Sequence, residues 1–172
     1  MRTLFVSDPP EIVAIRERRK ALGQDRYDEV WEGVYHVTPE AHGRHGLTQV
    51  SVSLSLSPLA DAAGLWLSGP FNLGTSKDDF RVPDFGFHQV EPLQVWVPTA
   101  VIVGEVLTPD DESRDKLAFY AARGVEEVLL VDPLAHTVEL LLRARPGWAP
   151  SAASPRLGVG LDRLADLRWP SG

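Results

Sequence analysis

The chain has no cysteine and a single methionine. Without cysteine there can be no disulfide bridge and no thiolate-held metal, and the redox compartment cannot be read from thiol usage. Long hydrophobic runs are also missing. No stretch approaches the roughly 18–20 consecutive apolar residues that a membrane-spanning helix needs, so no membrane partner is expected. Residues 1–10 are interrupted by Asp8, Pro9 and Pro10 too early for a secretion signal, which leaves the cytoplasm as the expected location. Positive charge is scarce, with 17 Lys and Arg against 24 Asp and Glu and a net charge of −7. That disfavours a generic nucleic-acid coat, which would be basic. A nuclease stays open, because a small basic groove or a bound cation changes the local field of an acidic protein. The five tryptophans are scattered and make no stacking platform for single strands.

What is present is the composition of an ordinary globular protein, 44% hydrophobic and 24% charged over 172 residues. That length suits one compact domain. Residues 1–24 read as an N-terminal helical segment: Asp8 is placed to cap, Pro9 to occupy the first turn, Glu11 to complete a capping box and Gly23 to stop the helix near Leu22. Residues 25–172 form the main domain. Two short strands are expected over 27–37 about a turn at Glu32-Gly33. Strands are also expected over 65–73 and 80–88, with residues 72–76 as a turn, 89–98 as a connection and 147–155 as a loop. Residues 100–107 are the most apolar strand, consistent with a central place covered on both faces. A helix over 111–123 ending at Gly124, strands over 127–131 and 137–143, and a short helix over 161–167 complete the reading. Strand 100–107, its following helix and strand 127–131 make a parallel unit, so the fold class is α/β (α+β), a single domain with a mixed β-sheet flanked by helices. The segment 47–63 is ambiguous. Val50, Val52, Leu54 and Leu56 alternate with serines, which favours a strand, yet a helix of about five turns also fits.

Within the most apolar strand stands Glu105, in Val101-Ile102-Val103-Gly104-Glu105-Val106-Leu107. A carboxylate in such a run needs a cation or a tight partner. Asp84 lies in a second strand-like run, Phe80-Arg81-Val82-Pro83-Asp84-Phe85-Gly86-Phe87. Alternate residues of a strand share a face, so if the two strands pair, both acids can meet, with Gly86 leaving open space beside Asp84. Oxygen ligands of this kind suit Mg²⁺ or Mn²⁺, and the backbone carbonyl of Val106 could add a third. Lys116, on the following helix, can reach back to orient a water or stabilise charge developing on a phosphate. The position two residues after Glu105, where such a lysine often sits, is Leu107.

The string Pro83-Asp84, Gly104-Glu105-Val106-Leu107-Thr108-Pro109 and Asp115-Lys116 through Asp132-Pro133 resembles the Uma-type family of restriction-endonuclease-like proteins, in the PD-(D/E)xK nuclease superfamily. The likeness runs over about 27–167 and is most specific in its second half. It implies a restriction-endonuclease-like fold, Asp84 and Glu105 as metal-binding acids, and Lys116 as the displaced lysine of the motif. It also implies that residues 42–64 are a helix, and we adopt that against the period-two pattern. A DNA substrate and a homodimer are further implications.

Each residue also has a plainer reading. Asp84 could cap a turn or pair with Arg81, and Glu105 could be a buried acid bonded to a tyrosine or arginine. Glu112 and Lys116 have the spacing of a surface i,i+4 pair. Tyr120 fits the core, and Arg16 to Lys20 a solvated face. His45, Glu32 and Tyr120 are possible neighbours of the site, while His42 is expected to face solvent. The leading expectation is a divalent-metal-dependent endonuclease hydrolysing DNA phosphodiester bonds. The alternative is a catalytically silent nuclease-like binding or regulatory module, with a sugar- or nucleotide-processing enzyme as a weaker third.

Overall fold

In a computed structural model, residues 4–5, 10–38, 42–109 and 112–170 are described. The expected caps Asp8 and Pro9, Pro39 and the acids Asp110 and Asp111 lie outside them. Among the described residues no helix is long and apolar enough to cross a membrane.

Strand β1 (Leu4–Phe5) precedes helix α1 (Pro10–Ala21). The helix stops at Gly23, whose φ of +66° is one that glycine adopts without the steric cost of a Cβ. Strands β2 (Glu29–Trp31) and β3 (Val34–His36) form the expected hairpin, with Glu32 and Gly33 both at positive φ as a two-residue turn of this hand requires. Helix α2 (Gly43–Ala62) follows. Next come β4 (Trp66–Ser68), β5 (Asn72–Ser76), β6 (Asp79–Arg81), β7 (Phe85–His88), β8 (Trp96–Val97) and β9 (Ile102–Val106). A 3-10 turn (Ser113–Lys116) leads into α3 (Leu117–Ala122). The chain ends with β10 (Glu127–Asp132), β11 (Thr137–Arg143), β12 (Trp148–Pro150), β13 (Ala153–Ser154), β14 (Val159–Gly160) and α4 (Leu161–Leu164).

The central sheet has the order β12-β11-β10-β9-β7-β4 and is mixed: β9 and β10 run parallel, joined by α3, and the other neighbours are antiparallel. Its middle strand β9 is buried along its whole length. One face packs under α2, through Val52, Leu56 and Ala60 against Phe85, Phe87 and Ile102. The other packs under α3, through Tyr120 against Val103, Val128 and Leu130. The α/β (α+β) class with a mixed sheet flanked by helices is therefore what the chain adopts. A second sheet, order β1-β3-β2-β6-β5-β8, lies beside it.

Helix α2 resolves the ambiguous segment. Its buried residues Thr48, Val52, Leu56 and Ala60 fall four apart, so a period of four was hidden inside the period of two. Thr48 and Ser53 turn their hydroxyls back onto the carbonyls of Arg44 and Gln49, at 2.9 and 2.8 Å, which satisfies them within the helix.

Four expectations are corrected. Residues 80–88 are two strands in different sheets, β6 and β7, because Pro83 has no N–H to continue a ladder. Residues 72–76 form β5, a strand rather than a turn, and 147–155 contain β12 and β13 rather than loop alone. Gly86 leaves no open space: a Cβ there would stand 2.5 Å from the Phe71 ring. The pairing itself was foreseen. Phe85 opposes Gly104, so the next positions outward are Asp84 and Glu105.

Candidate metal centre

The break after β6 builds the site. With no ladder partner, the Val82 N–H donates to the Glu29 carboxylate at 2.8 Å. The Asp84 N–H then donates to the Gly104 carbonyl at 3.1 Å, which anchors the start of β7 on β9. Around Asp84 three elements converge. Its Oδ2 accepts the Val106 N–H at 2.7 Å, its Oδ1 lies 2.8 Å from His45 Nε2, and its carbonyl accepts Gln49 Nε2 at 2.6 Å. An ionised carboxylate only accepts, so the His45 bond requires the proton on Nε2. Asp84 is thus held by β9 and by the first turns of α2, with its side chain 17% exposed.

Glu105 lies deeper, 3% exposed, on the face of β9 that α3 covers. Lys116 Nζ donates to its Oε1 at 3.0 Å, and the Tyr120 hydroxyl donates to the same oxygen. Its Oε2 accepts no hydrogen bond among the described residues. The 3-10 turn carries Lys116 inward, so that it is buried at 6% exposure rather than forming a surface pair with Glu112. Lys116 also lies 2.8 Å from Glu29 Oε1, and so bridges two buried carboxylates.

Glu29 is the acid that sequence reasoning missed. It is 1% exposed and also accepts Trp31 Nε1 at 2.5 Å. Its signal in the sequence was slight: β2 is only three residues long, and that both of its faces are buried, Glu29 on one and Val30 on the other, is seen only in the fold. Glu32, singled out instead, is exposed in the β2–β3 turn, with its N–H on Asp79, and the structure does not bring it to the site. His42 is exposed and caps α2, its Nδ1 accepting the Arg44 N–H. Arg81 pairs with Asp79, not Asp84, and its guanidinium sits between the Trp31 and Phe119 rings.

Electrostatically the site is short of positive charge. Burial pushes the Glu105 carboxyl up to about 7; Lys116 and the Tyr120 hydrogen bond oppose this, while Asp84 and Glu29 add to it. The Tyr120 hydroxyl is pushed well above its ordinary range by burial and by these same acids. Lys116 pairs with Glu29 and Glu105, while Asp84 has the imidazole of His45 beside it; a divalent cation would restore the balance of charge. The oxygens fit such an ion: Oε2 of Glu105 is uncommitted among the described residues, Asp84 stands opposite Glu105 in the β7–β9 register, and Val106 directs its N–H toward Asp84. In a strand the carbonyl of a residue points to the same side as its N–H, so Val106 can offer its carbonyl there. Among the described residues, no three His, Cys, Asp or Glu side chains form a ready-made cage. Mg²⁺ does not need one, since it keeps several waters and takes one or two carboxylates.

A family model described as "Putative restriction endonuclease" matches residues 18–162. Among solved structures, one from Anabaena variabilis described as "a putative nuclease belonging to DUF820" superposes with a TM-score of 0.62. Its identity is 17%, and the match covers 80% of this chain and 89% of that one, a likeness of fold. No curated protein sequence matches the chain.

Proposed function

The chain belongs to the Uma2 family of restriction-endonuclease-like proteins, and from that premise we propose that it is a divalent-metal-dependent endonuclease hydrolysing DNA phosphodiester bonds. The observation that carries this reading is Glu105: a fully buried carboxylate with one uncommitted oxygen, beside Asp84, in a site with more acids than cations. Asp84, Glu105 and the Val106 carbonyl would hold Mg²⁺ or Mn²⁺, which when bound polarises a phosphoryl oxygen and makes a bound water more acidic.

The chain's own residues do the rest. His45 and the Val106 N–H fix the rotamer of Asp84, so its oxygens are aimed before any ligand arrives. Tyr120 and Lys116 fix Glu105 through a single oxygen and leave the other uncommitted among the described residues. The Lys116 ammonium is the cation nearest Glu105 and is placed to stabilise negative charge developing on a phosphate. Glu29 holds Lys116 at that depth, 2.8 Å away. Two copies would present two such sites, one per strand of a duplex, which is how a homodimer enters the reading.

The direct test is cleavage of single- and double-stranded DNA with Mg²⁺ or Mn²⁺, comparing wild type with Asp84→Ala and Glu105→Ala. Metal-dependent cleavage lost in both variants supports the reading; equal residual activity in all three proteins defeats it. The alternative, a nuclease-like binding or regulatory module, draws on one observation: Lys116 already bridges Glu29 and Glu105 as a structural ion pair would. Such a module need not bind metal at Asp84 and Glu105, which calorimetric titration with Mn²⁺ would show.

A further inference from the structure

The alternation in α2 has an outcome that the site does not use. Only half of its apolar residues reach the sheet. Val52, Leu56 and Ala60 are buried, whereas Leu47, Val50 and Leu54 are 64%, 57% and 73% exposed. At 100° per residue these three lie within one narrow stripe on the side away from the sheet. Between Arg44 and Asp61 the helix carries no Asp, Glu, Lys or Arg. A helix apolar on both sides is the pattern of a buried helix rather than of one with a solvated back.

We propose that this stripe is the contact between two copies of the chain, packed with their α2 helices antiparallel about a two-fold axis. The choice of a second copy rests on charge and symmetry. The two charges that bound the stripe have opposite sign and stand at opposite ends of the helix. In an antiparallel pair centred near residue 52, each Arg44 comes beside the Asp61 of the other copy; a parallel pair would set like charges together. Neither side chain forms an ion pair among the described residues. The same register brings Val50 opposite Leu54, so one short stripe meets itself, as an isologous interface requires. Antiparallel helices also oppose their dipoles. Leu47, Val50 and Leu54 of the stripe themselves line one wall of a groove of about 380 Å³, whose other wall is Arg168, Trp169 and Pro170 of the C-terminal segment, open to side chains of the second helix. His45 and Gln49, which hold Asp84, belong to the same helix, so such pairing would set the spacing of the two sites.

This rests on the homodimer half of the proposed function and not on its chemistry, and the test separates them. Sedimentation of the full chain should show a dimer. Leu54→Arg, at an exposed position, should weaken the dimer at least tenfold while leaving the melting temperature of the dilute monomer unchanged. Asp61→Arg removes both symmetry-related pairs and should weaken it about two- to thirtyfold, as two exposed ion pairs allow, and adding Arg44→Asp should restore it. A wild type that stays monomeric up to about 100 µM overturns the proposal. So does a dimer indifferent to Leu54→Arg, which would assign the contact elsewhere, for example to the exposed Val90, Leu93 and Val95. Metal-dependent cleavage by a monomer would leave the chemistry standing and remove only the interface.

Discussion

Replacing Lys116 by methionine keeps the volume of the side chain and removes the only ammonium between Glu29 and Glu105. Both acids are nearly inaccessible, at 1% and 3%, so neither can turn to water. Removing one partner of a buried pair typically costs about 3–5 kcal/mol, because it strands a charge without compensation. In a domain of this size each kcal/mol moves the melting temperature by about 2–4 °C, so a fall of roughly 6–20 °C is expected. The loss should depend on pH in a defined direction. Lys116 holds the Glu105 carboxyl down against burial, and without it the folded acid rises further above its unfolded value of 4.5. The fold then binds a proton that the unfolded chain has already released, so stability falls as pH climbs from about 4.5 through the raised folded value. Thermal melts at pH 5.5 and 8.5 should therefore show the larger deficit at 8.5. Adding Glu105→Gln to Lys116→Met should recover part of it, since the stranded charge is gone. A Lys116→Met protein that melts with the wild type at pH 8.5 would refute the reasoning.

Three further outcomes follow from the same geometry. A Cβ on Gly104 would stand 1.9 Å from the ring of the fully buried Phe85, so Gly104→Ala should lose about 1–3 kcal/mol or more in urea unfolding, and Phe85→Leu in that background should return part of it. Tyr120→Phe removes a hydrogen bond that favours the ionised Glu105, so the Glu105 carboxyl should titrate above about 7, read by carbon-detected NMR of the glutamate side chains. Burial depresses His88 from 6.5 to about 4, so the unfolded chain takes up a proton that the fold refuses. Stability should fall as pH drops from 6.5 toward 4, by up to about 3 kcal/mol, and the difference between wild type and His88→Gln isolates that loss from the opposite slope of Glu105.

The sequence made the strand around Glu105 legible because seven residues there repeat one message, apolar on both faces, and a charge against that background is conspicuous. The β9–α3–β10 unit and the β10–β11 hairpin were legible for the same reason, with Gly124 and Asp132-Pro133 marking their ends. Short strands were not. In β5 and β12 the residues Asn72, Gly74 and Pro150 carry turn-like chemistry, and pairing with distant strands overrides it. Helix α2 was hidden because serines at odd positions imitate a strand while only every fourth residue touches the sheet. The strand expected over 80–88 ran through Pro83, whose missing N–H is where the chain breaks and changes sheets. Glu29 was passed over because a three-residue strand is too short to show its period, and its partner Lys116 stands far along the chain. The depth of Lys116 was equally invisible: a 3-10 turn, not a continued α-helix, brings it inside.

The central claim is that Asp84 and Glu105 form a divalent-cation site, and Mn²⁺ diffusion into crystals, read by anomalous scattering, tests it most directly. The account predicts one strong peak within coordination distance of Asp84, Glu105 and the Val106 carbonyl, absent from Glu105→Gln crystals treated alike. A wild-type crystal saturated with Mn²⁺ that shows no peak there, with Lys116 still seated between Glu29 and Glu105, would contradict it.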